Sequence, residues 1–450
     1  MPERPTDHGV AFGEAARFWI RLGFINFGGP TGQIAVMHHE LVERRRWVSE
    51  ARFLHALNFC MLLPGPEAQQ LAIYLGWLLH RAKGGLIAGI GFVLPAFFLI
   101  MGLSWAFVVH GDIDVVSGLF AGLQASVVGI IAAAGVRIGR RILRHPFLLG
   151  LAVAAFASIF VIHVAFPIVV VVAGLIGLVG GRWRPDVFAL PQERSGETTA
   201  IRDDVADDRH TAAGPARTVR VLLTGLAIWM VPLAIVAVLP RSPDVLGQEA
   251  LFFSQVAMVT FGGAYAVLAY LNQAAVMQFG WLTQAQMLTG LGLAESTPGP
   301  LIMVTEFVGF VAAYRNPGGL DPVLAGVLGA AVTTWAVFAP SFLWVFLGAP
   351  YIERLRGNRR FTSAVSAITA AVVGVIANLA VTFAIHTLFE EVREVELAGG
   401  GIPVPVLGSV DPFSVVVAVA NFVALWRFRL NILWIIGFAA LAGVVRTALA

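Results

Sequence analysis

An apolar stretch from about Phe53 to Leu79 is interrupted near its middle by Pro64-Gly65-Pro66, and this break constrains the fold more than any other feature. Two prolines remove two backbone donors, and the glycine between them accepts backbone angles that other residues resist. In hydrocarbon, the freed groups must be satisfied by neighbouring protein, water or a ligand. The break is therefore either a packed kink or part of a binding site. It occurs twice: Pro298-Gly299-Pro300 interrupts a second apolar stretch, 234 positions on from Pro64 to Pro298. The same displacement carries Phe27-Gly28-Gly29 onto Phe261-Gly262-Gly263, Trp47 onto Trp281, and Gly84-Gly85 onto Gly318-Gly319. Further along, Pro95 aligns with Pro340 and Val128-Gly129 with Val373-Gly374, now 245 positions apart. Matches in register over this length mark two diverged copies of one unit. Broken hydrophobic segments at corresponding points of two halves point to the substrate site of a secondary transporter.

Composition fixes the solvent. Of 450 residues, 58% are hydrophobic and 13% charged, with a mean hydropathy of +0.81, which implies a polytopic α-helical membrane protein. The apolar runs lack the two-residue alternation of a membrane β-barrel. The net charge of +3 is small and its basic residues cluster in short loops. That is the positive-inside pattern, so no nucleic-acid partner is expected. Met1 to His8 lacks the apolar core of a signal peptide, which keeps the N-terminus cytoplasmic in this reading. Cys60 is the single cysteine, excluding an intramolecular disulfide or a multi-thiolate metal site. His38-His39-Glu40 does not match a His-Glu-x-x-His zinc motif, and Gly89-Ile90-Gly91 lies inside a span with no strand before it. Walker-type Gly-Lys-Ser/Thr is absent too, so neither a cofactor nor ATP-driven pumping within this chain is expected.

The expected fold is an all-α polytopic membrane protein. It has two homologous copies in inverted topology, each with two re-entrant helical hairpins and about four spans, plus one extra linking span. In the first copy, residues 1–181, Phe12–Phe27 and Thr31–Glu43 form one hairpin. Its arms, at ~23 Å each, fall short of a hydrocarbon core of about 30 Å. Phe53–Leu79 forms the second hairpin, and Arg44-Arg45-Arg46, Arg52, Arg81 and Lys83 place the loops of both on the cytoplasmic side. Spans over Gly84–Val109, Val115–Val136, Phe147–Ile162 and Phe166–Gly181 complete this copy. Residues 182–218 are a polar, mixed-charge cytoplasmic linker. Residues 219–240 form a single extra crossing, which inverts the second copy, residues 241–450. Inversion explains why no Lys or Arg lies between Arg241 and Arg315, where the first copy is rich in them. Spans over Leu320–Leu347, Phe361–Phe389, Pro412–Trp426 and Leu430–Leu449 then follow, with an acidic external loop from Glu390 to Glu394.

Opposed hairpins meeting near the midplane would bring four helix-breaking tips together. Helix N-termini there offer unpaired N–H groups and positive dipole ends, a natural anion site. Gly28, Gly29, Gly262 and Gly263 allow close backbone approach. Asn26, Thr31, Gln33, Gln70, Ser296 and Thr297 could hydrogen-bond a ligand, and Pro30, Pro64, Gly65, Pro66, Pro298, Gly299 and Pro300 shape the tips. Arg21 could recognise a doubly charged oxyanion through its fork of donors, although small residues also serve helix packing and arginines snorkel. Glu67, Glu295 and Glu306 are candidates for coupling to protons, because an ionisable group in hydrocarbon is costly and usually faces a cavity or a partner. Glu67 could equally cap a helix. Trp47 and Trp281 read as interfacial anchors.

At these motifs the chain resembles the chromate ion transporter family in its long two-copy form. The resemblance rests on Phe27-Gly28-Gly29-Pro30, Leu63-Pro64-Gly65-Pro66-Glu67-Ala68-Gln69-Gln70, Phe261-Gly262-Gly263 with Tyr265-Ala266-Val267-Leu268, and Glu295-Ser296-Thr297-Pro298-Gly299-Pro300-Leu301. One departure is Ala264 where the first copy has Pro30. The resemblance implies a multi-pass inner (plasma) membrane protein that expels chromate by exchange or proton antiport and confers chromate resistance. Sulfate has the same shape and charge, so a sulfate or related oxyanion permease is the alternative. A passive anion channel, or an embedded enzyme with a catalytic pair that these segments do not display, ranks lower. A homodimer stays open.

Overall fold

The computed structural model describes residues 10–27, 29–61, 63–111, 113–188, 214–238, 243–260, 264–351, 359–397, 400–428 and 430–449. The first half comprises α1 (Phe12–Ile25), α2 (Gly29–His38), α3 (Glu50–Cys60), α4 (Glu67–His110), α5 (Asp114–Ile142), α6 (Pro146–Phe160) and α7 (Phe166–Trp183). After α8 (Pro215–Val238) come α9 (Asp244–Val259), α10 (Ala264–Asn272), α11 (Gln284–Ser296), α12 (Val304–Arg315), α13 (Pro322–Gly348), α14 (Arg359–Leu388), α15 (Pro412–Trp426) and α16 (Ile432–Leu449). Among the described residues, seven helices are long and apolar enough to cross a membrane, in α4, α5, α7, α8, α13, α14 and α16, and α6 and α15 are shorter apolar helices. The protein is a polytopic helical membrane protein.

The repeat seen in the sequence recurs in the backbone. A π-helical turn at His39–Arg44 matches another at Gln273–Gln278, at the displacement of 234 that relates Pro64 to Pro298. Such turns are rare and are retained where local geometry requires them. Each ends on a left-handed residue, Arg46 at φ 54° and Gly280 at φ 64°. The tryptophan that follows donates its N–H back into the turn, Trp47 to Leu41 and Trp281 to Ala275, both at 2.8 Å. Ser49 and Thr283 then cap α3 and α11 by accepting the N–H groups of Arg52 and Gln286. Both tryptophans are buried; Trp47 meets Phe18 edge-on and Trp281 stacks on Phe279. Their side chains and N–H groups tie each π turn to its neighbours.

The long helix α4 is two helices joined at a kink: His80 and Arg81 leave helical geometry, Arg81 at φ 53°. The kink falls where the second copy has Arg315, at the end of α12, so the halves of α4 correspond to α12 and α13. At the far end, α6 and α7 recur as α15 and α16 with identical lengths, 266 positions on from Pro146 to Pro412.

Small residues join the copies by exchange. A Cβ on Gly129 of α5 would lie 2.4 Å from the Ala418 carbonyl of α15, and one on Gly374 of α14 would lie 2.0 Å from the Ala152 carbonyl of α6. Likewise a Cβ on Gly177 of α7 would lie 2.4 Å from the Ser363 carbonyl of α14, and one on Gly443 of α16 would lie 2.0 Å from the Gly118 carbonyl of α5. So α6 and α7 clasp α14, while α15 and α16 clasp α5. Backbones can approach this closely only without side chains between them. On the outer faces, Val171, Leu223, Val231, Trp434 and Phe438 are exposed, as lipid-facing positions are in hydrocarbon.

The all-α expectation needs one correction. The acidic loop after α14 enters a hairpin, in which β1 (Val392–Leu397) pairs antiparallel with β2 (Gly400–Pro405) from Val392↔Pro405 to Leu397↔Gly400. Pro403 and Pro405 lack N–H donors, which restricts β2 to an edge. The hairpin is anchored beneath by Glu390 N–H to the Ser409 carbonyl at 2.8 Å and by the Phe389↔Val410 bridge. The 189–213 part of the expected linker lies outside the described residues, and α7 and α8 extend into its two ends.

Candidate functional site

The two Pro-Gly-Pro breaks are built alike. Each follows a short helix, α3 or α11, and each is followed at once by a helical turn, α4 at Glu67 or the 3₁₀ turn Leu301–Met303 that leads into α12. Both central glycines, Gly65 and Gly299, sit at φ +123°, where a side chain is strained. The first break reaches across to the second copy: Gly65 N–H donates to the Thr260 carbonyl at 2.9 Å. The second break returns the contact, with Gly299 N–H donating to the Asn26 carbonyl at 2.9 Å. Thr260 and Asn26 are themselves equivalent, each ending the helix before a Phe-Gly-Gly.

Side chains reinforce this crossing. The Gln33 amide nitrogen donates to the Gly299 carbonyl, and the Gln70 nitrogen donates to the Pro64 carbonyl at 2.7 Å. These partners fix the amide orientations, because only the nitrogen can donate. The Tyr265 hydroxyl, in the first turn of α10, donates to Glu295 Oε1 at 2.8 Å. It also lies 3.8 Å from where a Cβ on Gly29 would be. Thus α2, α4, α10 and the Leu301 turn all begin around one point, and their free N–H ends suit an anion.

Buried polar atoms near the breaks are left without partners. Among the described residues these include both amide atoms of Asn26, the oxygens of Gln33, Gln69 and Gln70, Glu295 Oε2, Ser341 Oγ and both oxygens of Glu306. Ser341 Oγ sits 3.2 Å from the Cβ position of Gly65. A buried polar atom without a partner costs about 1–3 kcal/mol, so such a set is retained where water or a ligand completes it. Apart from the Asn26 nitrogen and the Ser341 hydroxyl, these atoms are acceptors. The crossing therefore combines helix N-termini that suit an anion with buried oxygens that can accept hydrogen bonds.

Not every expected residue is drawn in. Gly28, Gly262 and Gly263 lie outside the described residues, as does the side chain of Thr31. Gly29 and Pro30 open α2, and Pro66 and Pro300 precede the helical turns after the breaks. The Ser296 hydroxyl donates to Leu293 and Thr297 to Ala294, so both serve their own helix end beside Pro298. Arg21 is exposed, in a recess with Phe18, Leu22, Ile25, Glu40 and Arg45. Arg45 there pairs with Glu14 and Glu40 at 3.3 and 3.4 Å. Glu67 stands at the start of α4, the position of a capping carboxylate. His38 and His39 pair with Glu50 and Glu43.

Tyr265, Gln69 and Ser341 were not anticipated as site residues. Tyr265 occupies the position equivalent to Thr31 and Ser341 follows Pro340, so superposing the copies would have singled them out.

Comparison with known proteins agrees with this architecture. The sequence profile described as chromate transporter matches residues 13–178 and 248–444, one region in each half. A chromate transport protein of Pseudomonas aeruginosa is 31% identical over 434 residues, 95% of this chain and 90% of that one. A probable chromate transport protein of Synechococcus elongatus is 29% identical over 377 residues, 84% of this chain and 86% of that one. A chromate transport protein of Cupriavidus metallidurans is 28% identical over 373 residues, 83% of this chain and 82% of that one. No solved structure matches the chain. With both halves matched and likeness across nearly its whole length, this chain belongs to the chromate transporter family.

Proposed function

We propose that the protein is a secondary active transporter that exports chromate across the inner membrane by proton- or anion-coupled exchange, and so confers chromate resistance. The observation that carries this reading is the reciprocal crossing of Gly65 onto Thr260 and Gly299 onto Asn26, ringed by buried polar atoms without partners. The relatives named for chromate transport support the substrate.

In this reading residues 1–181 and 241–450 are inverted copies, each with two re-entrant hairpins. Residues 219–240 are the crossing that inverts the second, and the N-terminus and the 182–218 linker are cytoplasmic. Chromate sits at the crossing, held by N–H groups at the starts of α2, α4, α10 and the Leu301 turn and by the Asn26 amide nitrogen, while Gln33 and Gln70 brace the Gly299 and Pro64 carbonyls. Rocking of one set of hairpins against the other opens this point to alternate faces. Gly28, Gly29, Gly262 and Gly263 leave room for the oxyanion, and Glu67, Glu295 and Glu306 exchange protons as it leaves. Arg21, in its exposed recess, attracts the dianion on the cytoplasmic approach.

Sulfate is the second substrate to weigh, because backbone donors read tetrahedral shape and charge rather than the central atom. Everted vesicles containing the protein should accumulate labelled chromate and show counterflow, in which trans chromate accelerates exchange. Accumulation of labelled sulfate alone would reassign the substrate, and flux that neither saturates nor shows counterflow would make the protein a channel.

A further inference from the structure

Aligning the copies separates two kinds of buried polar residue. The buried amides near the breaks, Gln33, Gln69 and Gln70, have Val267, Met303 and Val304 as their second-copy equivalents. The reverse holds for carboxylates: Glu249, Glu295 and Glu306 of the second copy correspond to Ala15, Met61 and Ala72. Ala15 and Ala72 are buried, so helix packing at these two positions is satisfied by a methyl group. A charged carboxylate is strongly disfavoured in such surroundings unless a partner, water or a proton compensates it.

Glu249 has no part in the crossing. It lies in the second turn of α9, is 0% exposed, and neither of its oxygens has a partner among the described residues. Glu306, on α12, is likewise 0% exposed with both oxygens unpartnered. Helices α9 and α12 pack on each other and on α13, where the Thr334 hydroxyl also lacks a partner. Among the described residues no cation pairs with either carboxylate, and α11, which packs on α12, adds only the Glu295 carboxyl. α13 carries no titratable side chain, and α8 has only Arg217 and Arg220 in its first turns. α10 has Tyr265 and Tyr270, and α12 has Tyr314 and Arg315 at its far end. Asp244 opens α9, and α4, which packs on α12 and α13, has Glu67, Tyr74, His80, Arg81, Lys83 and His110.

We infer that Glu249 is a proton-relay residue, and that with Glu306 it gives the second copy a proton path separate from the substrate contacts, while the first copy supplies most of the amides that brace the crossing. The inference rests on the transport reading above. A proton arriving from the Asp244–Arg315 end converts the Glu249 carboxylate to the acid. Its onward transfer through water along the α9–α12 contact restores that carboxylate and delivers the proton to Glu306, from which it leaves on the opposite face. No other bond forms or breaks, and the inward charge accompanies the outward dianion. In the inverted arrangement, the Asp244–Arg315 end faces outside, where protons enter.

The test uses the full-length protein in proteoliposomes, with labelled chromate and a trapped pH dye, and compares wild type with Glu249→Gln and Glu249→Asp. Glu249→Gln should keep chromate counterflow near the wild-type rate yet lose chromate accumulation driven by a proton gradient and the matching dye signal. Glu249→Asp, which retains a carboxyl group, should restore both in part. Gradient-driven accumulation that persists in Glu249→Gln overturns the inference, as does loss of counterflow together with accumulation in a variant that elutes as wild type. Absence of any chromate flux in the wild type would instead overturn the transport reading.

Discussion

The backbone N–H of Gly65 donates to the carbonyl of Thr260 at 2.9 Å, joining the first-copy break to the second copy. Its counterpart, Gly299 to Asn26, has the same length and is displaced by 234 positions at both ends. Each bond satisfies a donor that a broken helix would leave exposed in hydrocarbon. Each break is thus completed by the helix end before Phe-Gly-Gly in the other copy.

Removing the conformational freedom of these glycines should disable the crossing. On Gly65, at φ +123°, a Cβ would lie 2.7 Å from the Gln70 nitrogen; on Gly299 it would lie 2.3 Å from the Ala96 Cβ. Strain of this kind costs about 1–3 kcal/mol per site. Gly65→Ala and Gly299→Ala should each slow chromate flux by about tenfold or more, while Gly102→Ala, where a Cβ meets nothing within 4 Å, leaves it unchanged. Initial rates in everted vesicles, normalised to protein in the membrane, give the comparison.

Gln33 should matter more than its equivalent. Gln33→Val installs the residue that the second copy carries at Val267 and strips the Gly299 carbonyl of its side-chain donor. Leaving that acceptor unsatisfied costs about 1–3 kcal/mol. Chromate flux should fall at least as far as in Gly299→Ala, and Val267→Gln should not restore it. Equal flux in wild type and Gln33→Val would remove Gln33 from the site.

These relationships were only partly legible in the sequence. The duplicated Pro-Gly-Pro and Phe-Gly-Gly announced where helices stop, because proline and glycine act on the local backbone. The π turns at His39 and Gln273 carry no such signal, since their residues also suit an α-helix. The Val392–Pro405 hairpin was hidden by its acidic composition. Glu295 was legible as an intramembrane carboxylate, but its partner Tyr265 lies 30 positions earlier, and only packing brings them together. Ser296 and Thr297 looked like ligand donors from their place beside Pro298-Gly299-Pro300, yet hydroxyls at a helix end readily bond back to the preceding turn.

One ionic contact outside the membrane offers a pH test. Burial opposes ionisation of Asp411, but hydrogen bonds from Ser414 and Arg446 outweigh it and hold the carboxyl below its usual range. Arg446 approaches at 2.8 Å. Because the folded-state value is depressed, this stabilisation is present above the unfolded carboxylate value of about 3.9 and is lost as pH falls through the folded one. Asparagine still caps a helix, so Asp411→Asn isolates the charge. Thermal unfolding in detergent should show a lower Tm for the variant at neutral pH, and the gap should close on acidification.

The central claim is that the two copies face opposite ways and share one site. Glu43 and Met277 are equivalent positions in the π turns, and both are exposed. Cys60 is buried and is the chain's single cysteine, so Cys60→Ser provides a background for labelling Glu43→Cys and Met277→Cys with an impermeant maleimide in intact cells and everted vesicles. The account predicts that Met277→Cys labels in intact cells and Glu43→Cys only in everted vesicles; labelling of both from the same side would contradict it.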